Sequence, residues 1–143
     1  MQQKLNLTTV VVDDNDIDRY MVRRYLTRHE AFGDIMEAPT GDAFLEDICA
    51  SKQLEPGRST PILVLMDINM PGLDGFETAE RLQEMVTSGE TADSIVVMMF
   101  TSSDNPADKR RADEIEIVKG YVVKPFGNTH VSEILALWES RAD

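Results

Sequence analysis

The sequence predicts an α/β fold, a doubly wound (βα)5 sandwich around a central five-stranded parallel sheet. Three observations predict it. Val10-Val11-Val12, Ile62-Leu63-Val64-Leu65-Met66 and Ile95 to Phe100 are apolar runs rich in β-branched residues, the mark of strands buried on both faces. Stretches of helical period separate these runs. Charged residues stand at the run ends: Asp13 and Asp14 after the first, Asp67 after the second, and Lys124 after Tyr121-Val122-Val123.

The elements follow in order. Thr8–Val12 reads as the first strand. Asn15 or Asp16 caps a helix whose apolar stripe is Ile17, Met21 and Tyr25 with Val22 and Leu26. Asp34–Ala38 is a weaker second strand. Thr40 or Asp42 starts a second helix carrying Phe44, Leu45 and Ile48. Ser51–Pro61 reads as a polar loop with Pro56-Gly57 as its turn. Ile62–Met66 is the central strand. The loop Asn69-Met70-Pro71-Gly72-Leu73-Asp74-Gly75 is rich in turn residues, and a third helix shows Phe76, Ala79, Leu82 and Val86 on one side. Ile95–Phe100 is strand four. Asn105 followed by Pro106 is a cap with proline in the first turn of helix four. Tyr121–Val123 is strand five, and the last helix spaces Val131, Ile134, Leu135 and Trp138 at i, i+3, i+4 and i+7. Alternation of this kind implies parallel strands with helices on both faces.

The 143 residues suit one domain, expected to span 1–143 with no interdomain linker or output domain. The formal net charge of −12 argues against nucleic acid, which needs a basic footprint, and against anionic membranes. The lone cysteine, Cys49, permits no intrachain disulfide and reads as a core thiol. Residues 1–5 lack the apolar core of a signal peptide, and no run approaches a membrane span. The expected location is cytoplasmic.

Ligands in an open α/β sheet bind outside the carboxyl ends of the strands. Asp13, Asp14, Asp67 and Lys124 therefore converge at one sheet edge. Caps and solvated acids are common at strand ends, but an adjacent Asp pair plus a third Asp after a wholly apolar strand is costly without a cation. Oxygen ligands with no nearby His or Cys favour Mg²⁺ over zinc. The Lys124 ammonium can reach a carboxylate or a phosphoryl oxygen, and Thr101 and Ser102 add hydroxyls.

Val-Val-Val-Asp13-Asp14-Asn-Asp, Leu-Met-Asp67-Ile-Asn-Met-Pro71-Gly-Leu-Asp-Gly75, Phe-Thr101-Ser and Gly-Tyr121-Val-Val-Lys124-Pro125-Phe resemble the receiver domains of two-component response regulators. The resemblance runs from about Val10 to Trp138. It implies a flavodoxin-like sheet of strand order 2-1-3-4-5 and a single-domain, chemotaxis-regulator-like switch. Asp67 would be the phosphoacceptor. Asp14, Asp67 and the Asn69 backbone carbonyl would bind Mg²⁺ directly, and Asp13 through water. Thr101 would hydrogen-bond the phosphoryl group, Lys124 would pair with it, and Tyr121 would switch with Thr101. The implied partners are a sensor histidine kinase or a histidine phosphotransfer protein. The implied association is a monomer, or a weak homodimer through the helix 4–strand 5–helix 5 face or the terminal helix. The loop Gln53–Pro61 and the segment Ile115-Glu-Ile117 depart from the commonest receiver pattern.

Two other functions compete with this one. An aspartyl-nucleophile phosphatase needs a second Asp two residues on as general acid, and Asn69 stands there. A phosphorylation-independent adaptor of the same fold would not need the full acidic, hydroxyl and lysine set. His29, beside Glu30, and His130 read as ordinary helix-end residues. Lys109-Arg110-Arg111 reads as a solvated face that could also dock a partner. No phosphate-binding glycine loop is present.

Overall fold

A computed structural model describes residues 6–49, 61–91 and 94–141. The expected loop Ser51–Pro61, but for Pro61, lies outside them. Five parallel strands form one sheet: β1 (Leu7–Val12), β2 (Phe32–Ala38), β3 (Ile62–Met66), β4 (Ile95–Thr101) and β5 (Val118–Val123). The spatial order is β2-β1-β3-β4-β5. The helices are α1 (Asp16–Leu26), α2 (Gly41–Ala43, continuing as a wider π-helical turn over Phe44–Cys49), α3 (Gly75–Ser88), α4 (Pro106–Asp113) and α5 (Asn128–Arg141).

Strand alternation divides the core in two. Val10, Val12, Val64, Met66, Val97 and Met99 pack with Phe44, Ile48, Phe76, Ala79 and Leu82 on the α2 and α3 side. Val11, Leu63, Leu65, Val96, Met98 and Phe100 pack with Val22, Leu26, Val131, Ile134 and Trp138 on the α1 and α5 side. β1, β3 and β4 are buried along their whole length, as their continuous apolar runs require. Cys49 belongs to the first cluster, and burial pushes its thiol up to about 12, so it is inert at neutral pH.

The helix starts obey local chemistry. The Asn15 side chain accepts from the backbone N–H of Ile17 and Asp18. Thr40 caps α2 through the Ala43 N–H. Asp74 and Glu77 form a reciprocal capping box on α3. Asn105 caps α4, with Pro106 in its first turn.

Three expectations need correction. Ile17 is not part of the buried stripe of α1: it is 68% exposed, and Val22 and Leu26 carry the packing. β2 starts at Phe32 rather than Asp34, and β5 at Val118 rather than Tyr121. Both are edge strands whose exposed and buried positions mix, so apolar runs marked only their better-buried parts. Ile115 and Ile117, which break the small-residue turn pattern, are buried against the core.

Leu65→Ala removes a fully buried side chain from the middle of the central strand. The expected cost is about 2–5 kcal/mol, read as a lower urea midpoint at unchanged slope. A midpoint equal to wild type would contradict the two-sided core.

Candidate functional site

Strand register builds the site. In the β1–β3 pair Val12 lies opposite Met66, so Asp13 and Asp67 leave neighbouring strands at the same level. The ladder continues past both strand ends, because the Asp67 N–H donates to the Val12 carbonyl at 2.9 Å. On the other side Thr101 lies opposite Val123, and the Lys124 N–H donates to the Thr101 carbonyl at 2.8 Å. Backbone bonds thus fix four of the expected residues before any side-chain contact forms. The Lys124–Pro125 peptide is cis.

A close approach fixes Asp67 from behind. A Cβ on Gly75 would overlap the Asp67 backbone carbonyl. The Gly75 N–H donates to the Ile68 carbonyl at 2.8 Å. Only glycine lets the start of α3 lie this close to the chain leaving β3. Gly72, at φ +76°, supplies the left-handed turn within the same loop.

The side chains meet around one ammonium. Lys124 Nζ lies 2.8 Å from Asp13 Oδ2, 2.7 Å from Asp18 Oδ2 and 3.6 Å from Asp67 Oδ2. Carboxylate oxygens of Asp13, Asp14 and Asp67 lie within 4.8 Å of one another. Asp13 and Asp67 are buried while Asp14 faces solvent. Asp13 Oδ1 accepts from the Asn15 N–H, and Oδ2 meets Lys124 as an ion pair without a well-aligned hydrogen bond. Asp14, Asp18, Asp67, Asn69, Ser102 and Lys124 line an open pocket of about 450 Å³. A larger surface groove of about 660 Å³ beside α3, around Leu45, Arg81 and Met85, has no comparable convergence of charge on a reactive group.

The electrostatics follow from this crowding. Burial, then the charge of Asp13, pushes the Asp67 carboxyl up to about 7, against the opposing pull of Lys124. Burial alone would lower Lys124, but the adjacent carboxylates of Asp13 and Asp18, with the charge of Asp67, raise it overall.

The β4 side is organised by Ser103. Thr101 is fully buried, and its Oγ1 accepts from the Ser103 N–H at 3.2 Å. The Tyr121 hydroxyl donates to the Ser103 carbonyl at 2.8 Å. The Ser103 hydroxyl donates to Asp108 on α4 at 2.7 Å. Lys109 stands over the Tyr121 ring at 5.7 Å. One residue therefore links the expected hydroxyl, the expected aromatic and α4.

The structure brings together Asp13, Asp14, Asp67, Asn69 and Lys124. Thr101 and Tyr121 stand behind the pocket through Ser103. Sequence reasoning missed Asp18 and Ser103. Asp18 lies in the first turn of α1, where an acid is routinely explained by the helix dipole. Its only other signal was its place four residues after Asp14.

Comparison with known proteins agrees with this architecture. The model of the response regulator receiver domain matches residues 9–136. The chain belongs to the response regulator receiver family. It is 29% identical over 122 residues to the nitrate/nitrite response regulator NarL of Escherichia coli, covering 82% of this chain and 47% of NarL. This chain thus spans about half the length of that relative. It is also 29% identical to PilH of Pseudomonas aeruginosa over 100 residues, 70% of this chain and 71% of PilH. Among solved structures, the receiver domain of the putative regulator NarL from Mycobacterium tuberculosis aligns with TM-score 0.72 at 26% identity, covering 97% of this chain and 99% of that one. The chemotaxis protein CheY4 of Vibrio cholerae aligns with TM-score 0.66 at 22% identity, over 94% and 98% of the two chains, and so shares the fold. Among the described residues no helix is long and apolar enough to cross a membrane.

The raised Asp67 carboxyl predicts an unusual pH dependence for the protein kept free of metal by chelator. The folded value near 7 lies above the ordinary value of 3.8. Between these limits the native state binds a proton that the unfolded state has released. Its stabilising contribution is complete below about pH 4 and is lost as pH rises through about 7. Urea midpoints should therefore fall more steeply from pH 4 to 7 in wild type than in Asp67→Asn. Equal slopes would show that Asp67 titrates normally.

Proposed function

We propose that this receiver chain accepts a phosphoryl group on Asp67 in a Mg²⁺-dependent reaction and thereby switches partner binding. The observation that carries the reading is the buried Asp67 carboxylate at the sheet edge, with two further aspartates and the Lys124 ammonium aimed at the same point. Donors of the matching chemistry are a sensor histidine kinase or a histidine phosphotransfer protein. The chain acts as a switch, with no turnover of an external substrate.

The donor set fits Mg²⁺. All ligand atoms are oxygens, no His or Cys stands in the cluster, and a buried Asp13 oxygen lacks an aligned hydrogen bond. Asp14, Asp67 and the Asn69 carbonyl would hold the ion, with Asp13 acting through water. When bound, the ion neutralises charge on the transferring phosphoryl group. Asp67 is the nucleophile: with a cation bound at the cluster its raised carboxyl would ionise at neutral pH, and the carboxylate needs no general base. The carboxylate oxygen forms the new bond to phosphorus as the donor's bond to phosphorus breaks. Lys124 pairs with the phosphoryl oxygens. Positioning and charge neutralisation carry most of such a transfer.

The switch runs through Ser103. The Thr101 hydroxyl, drawn to a phosphoryl oxygen, gives up the Ser103 N–H. The Tyr121 hydroxyl then loses its fixed acceptor on that loop, and the start of α4 shifts with Asp108. A charge change at Asp67 becomes a surface change on α4, β5 and α5, the face suited to a partner or a second copy.

Acetyl phosphate with Mg²⁺ should add one phosphoryl mass to the wild type, and none to Asp67→Asn or to wild type in chelator. Undiminished labelling of Asp67→Asn would place the acceptor elsewhere.

Thr101→Ala should still be phosphorylated on Asp67 yet lose the amide-exchange response around Tyr121 and α4 that beryllofluoride, a phosphoryl mimic, evokes in wild type. A full wild-type response in Thr101→Ala would disprove coupling through this hydroxyl.

A further inference from the structure

We propose that Asp18 is a specificity-determining residue, which holds the Lys124 ammonium and disfavours small anionic phosphodonors at the pocket. The inference rests on the reading of Asp67 as phosphoacceptor. The ammonium donates a hydrogen bond to Asp18 at 2.7 Å and pairs in charge with Asp13 at 2.8 Å, while Asp67 is 3.6 Å away. The cation needed by an incoming phosphoryl group is thus engaged mainly by carboxylates that do not accept it.

The two holders differ. Asp13 is buried and fixed by the Asn15 N–H. Asp18 comes from α1, its side chain is 24% exposed, and it lines the open pocket together with Asp14 and Lys124. An approaching donor therefore meets a fourth carboxylate close to Asp13, Asp14 and Asp67. A small dianion must overcome that charge unaided. A protein donor brings contacts of its own over a wider surface. Asp18 thus raises the barrier for stray small donors more than for a docked one.

The step itself balances. With acetyl phosphate, an Asp67 oxygen bonds to phosphorus as the phosphorus–oxygen bond to the acetyl group breaks, and acetate leaves with the electron pair. With phosphoramidate, the phosphorus–nitrogen bond breaks, and ammonia leaves from an already protonated nitrogen. Phosphoramidate carries less net negative charge than acetyl phosphate, so the two donors report on charge at the pocket.

The test measures initial phosphorylation rates with both donors, in Mg²⁺, for wild type, Asp18→Asn, Asp18→Ala and Asp18→Glu. At low salt, Asp18→Asn should accept acetyl phosphate about three- to tenfold faster, the effect of one charge across a wet pocket. The ratio of acetyl phosphate rate to phosphoramidate rate should rise in the Asn and Ala variants and stay near wild type in Asp18→Glu. The gain should shrink at about 1 M salt, where screening acts within about 3 Å. A merely structural role would alter both donors alike and ignore salt. Equal donor ratios in wild type and Asp18→Asn would overturn the proposal while leaving Asp67 as acceptor. Absence of labelling from either donor in wild type would overturn the Asp67 reading and this proposal with it.

Discussion

The contact between one ammonium and three carboxylates is the interaction on which the site depends. Asp13 and Asp67 are buried side by side, and two like charges so placed would not both ionise without compensation. Lys124 supplies that compensation, but one positive charge is shared among Asp13, Asp18 and Asp67, with Asp14 close by. The pocket remains short of positive charge. Burial first, and that shortage after it, raise the Asp67 carboxyl.

The arrangement exists because the backbone places it. Hydrogen bonds one step beyond the regular strands lock Asp67 to Val12 and Lys124 to Thr101. A register slip of one residue would turn each of these side chains to the opposite face of the sheet. The apolar runs therefore do more than bury surface. Their lengths decide where each strand stops, and the charged residue after each stop inherits its position. Arg19 and Arg23 add a polar clasp from α1 to Glu37 on the edge strand, which keeps the helix bearing Asp18 in place.

What was readable in the chain follows the same logic. Strands β1, β3 and β4 are buried on both faces, so their composition is unambiguous, and the predicted bounds of Ile62–Met66 coincide with the strand. The edges β2 and β5 mix exposed with buried positions, and their starts were misplaced. Charged residues straight after apolar runs announced Asp13, Asp14, Asp67 and Lys124. Asp18 was hidden because its significance comes from a lysine 106 positions away. Ser103 was hidden because its links to Thr101 and Tyr121 run through its backbone, which carries no sequence signature, and its hydroxyl bond to Asp108 looks like any loop serine's. Ile17 fitted a helical stripe by spacing, yet it lies on the outer side of α1.

The fit of Gly75 against Asp67 divides the molecule mechanically. With no side chain between them, the start of α3 and the end of β3 form a hard joint. The capping box of Asp74 and Glu77 stiffens that joint further. Across the pocket, α4 buries only Ala112 along its own length; it meets the site loop through the Ser103–Asp108 hydrogen bond and α3 through Arg111, which pairs with Glu80 and lies over Phe76. The Asp67 side of the pocket is backed by backbone in direct contact, while the α4 side rests on little buried surface. A missing methyl group makes one wall of the pocket stiffer than the other.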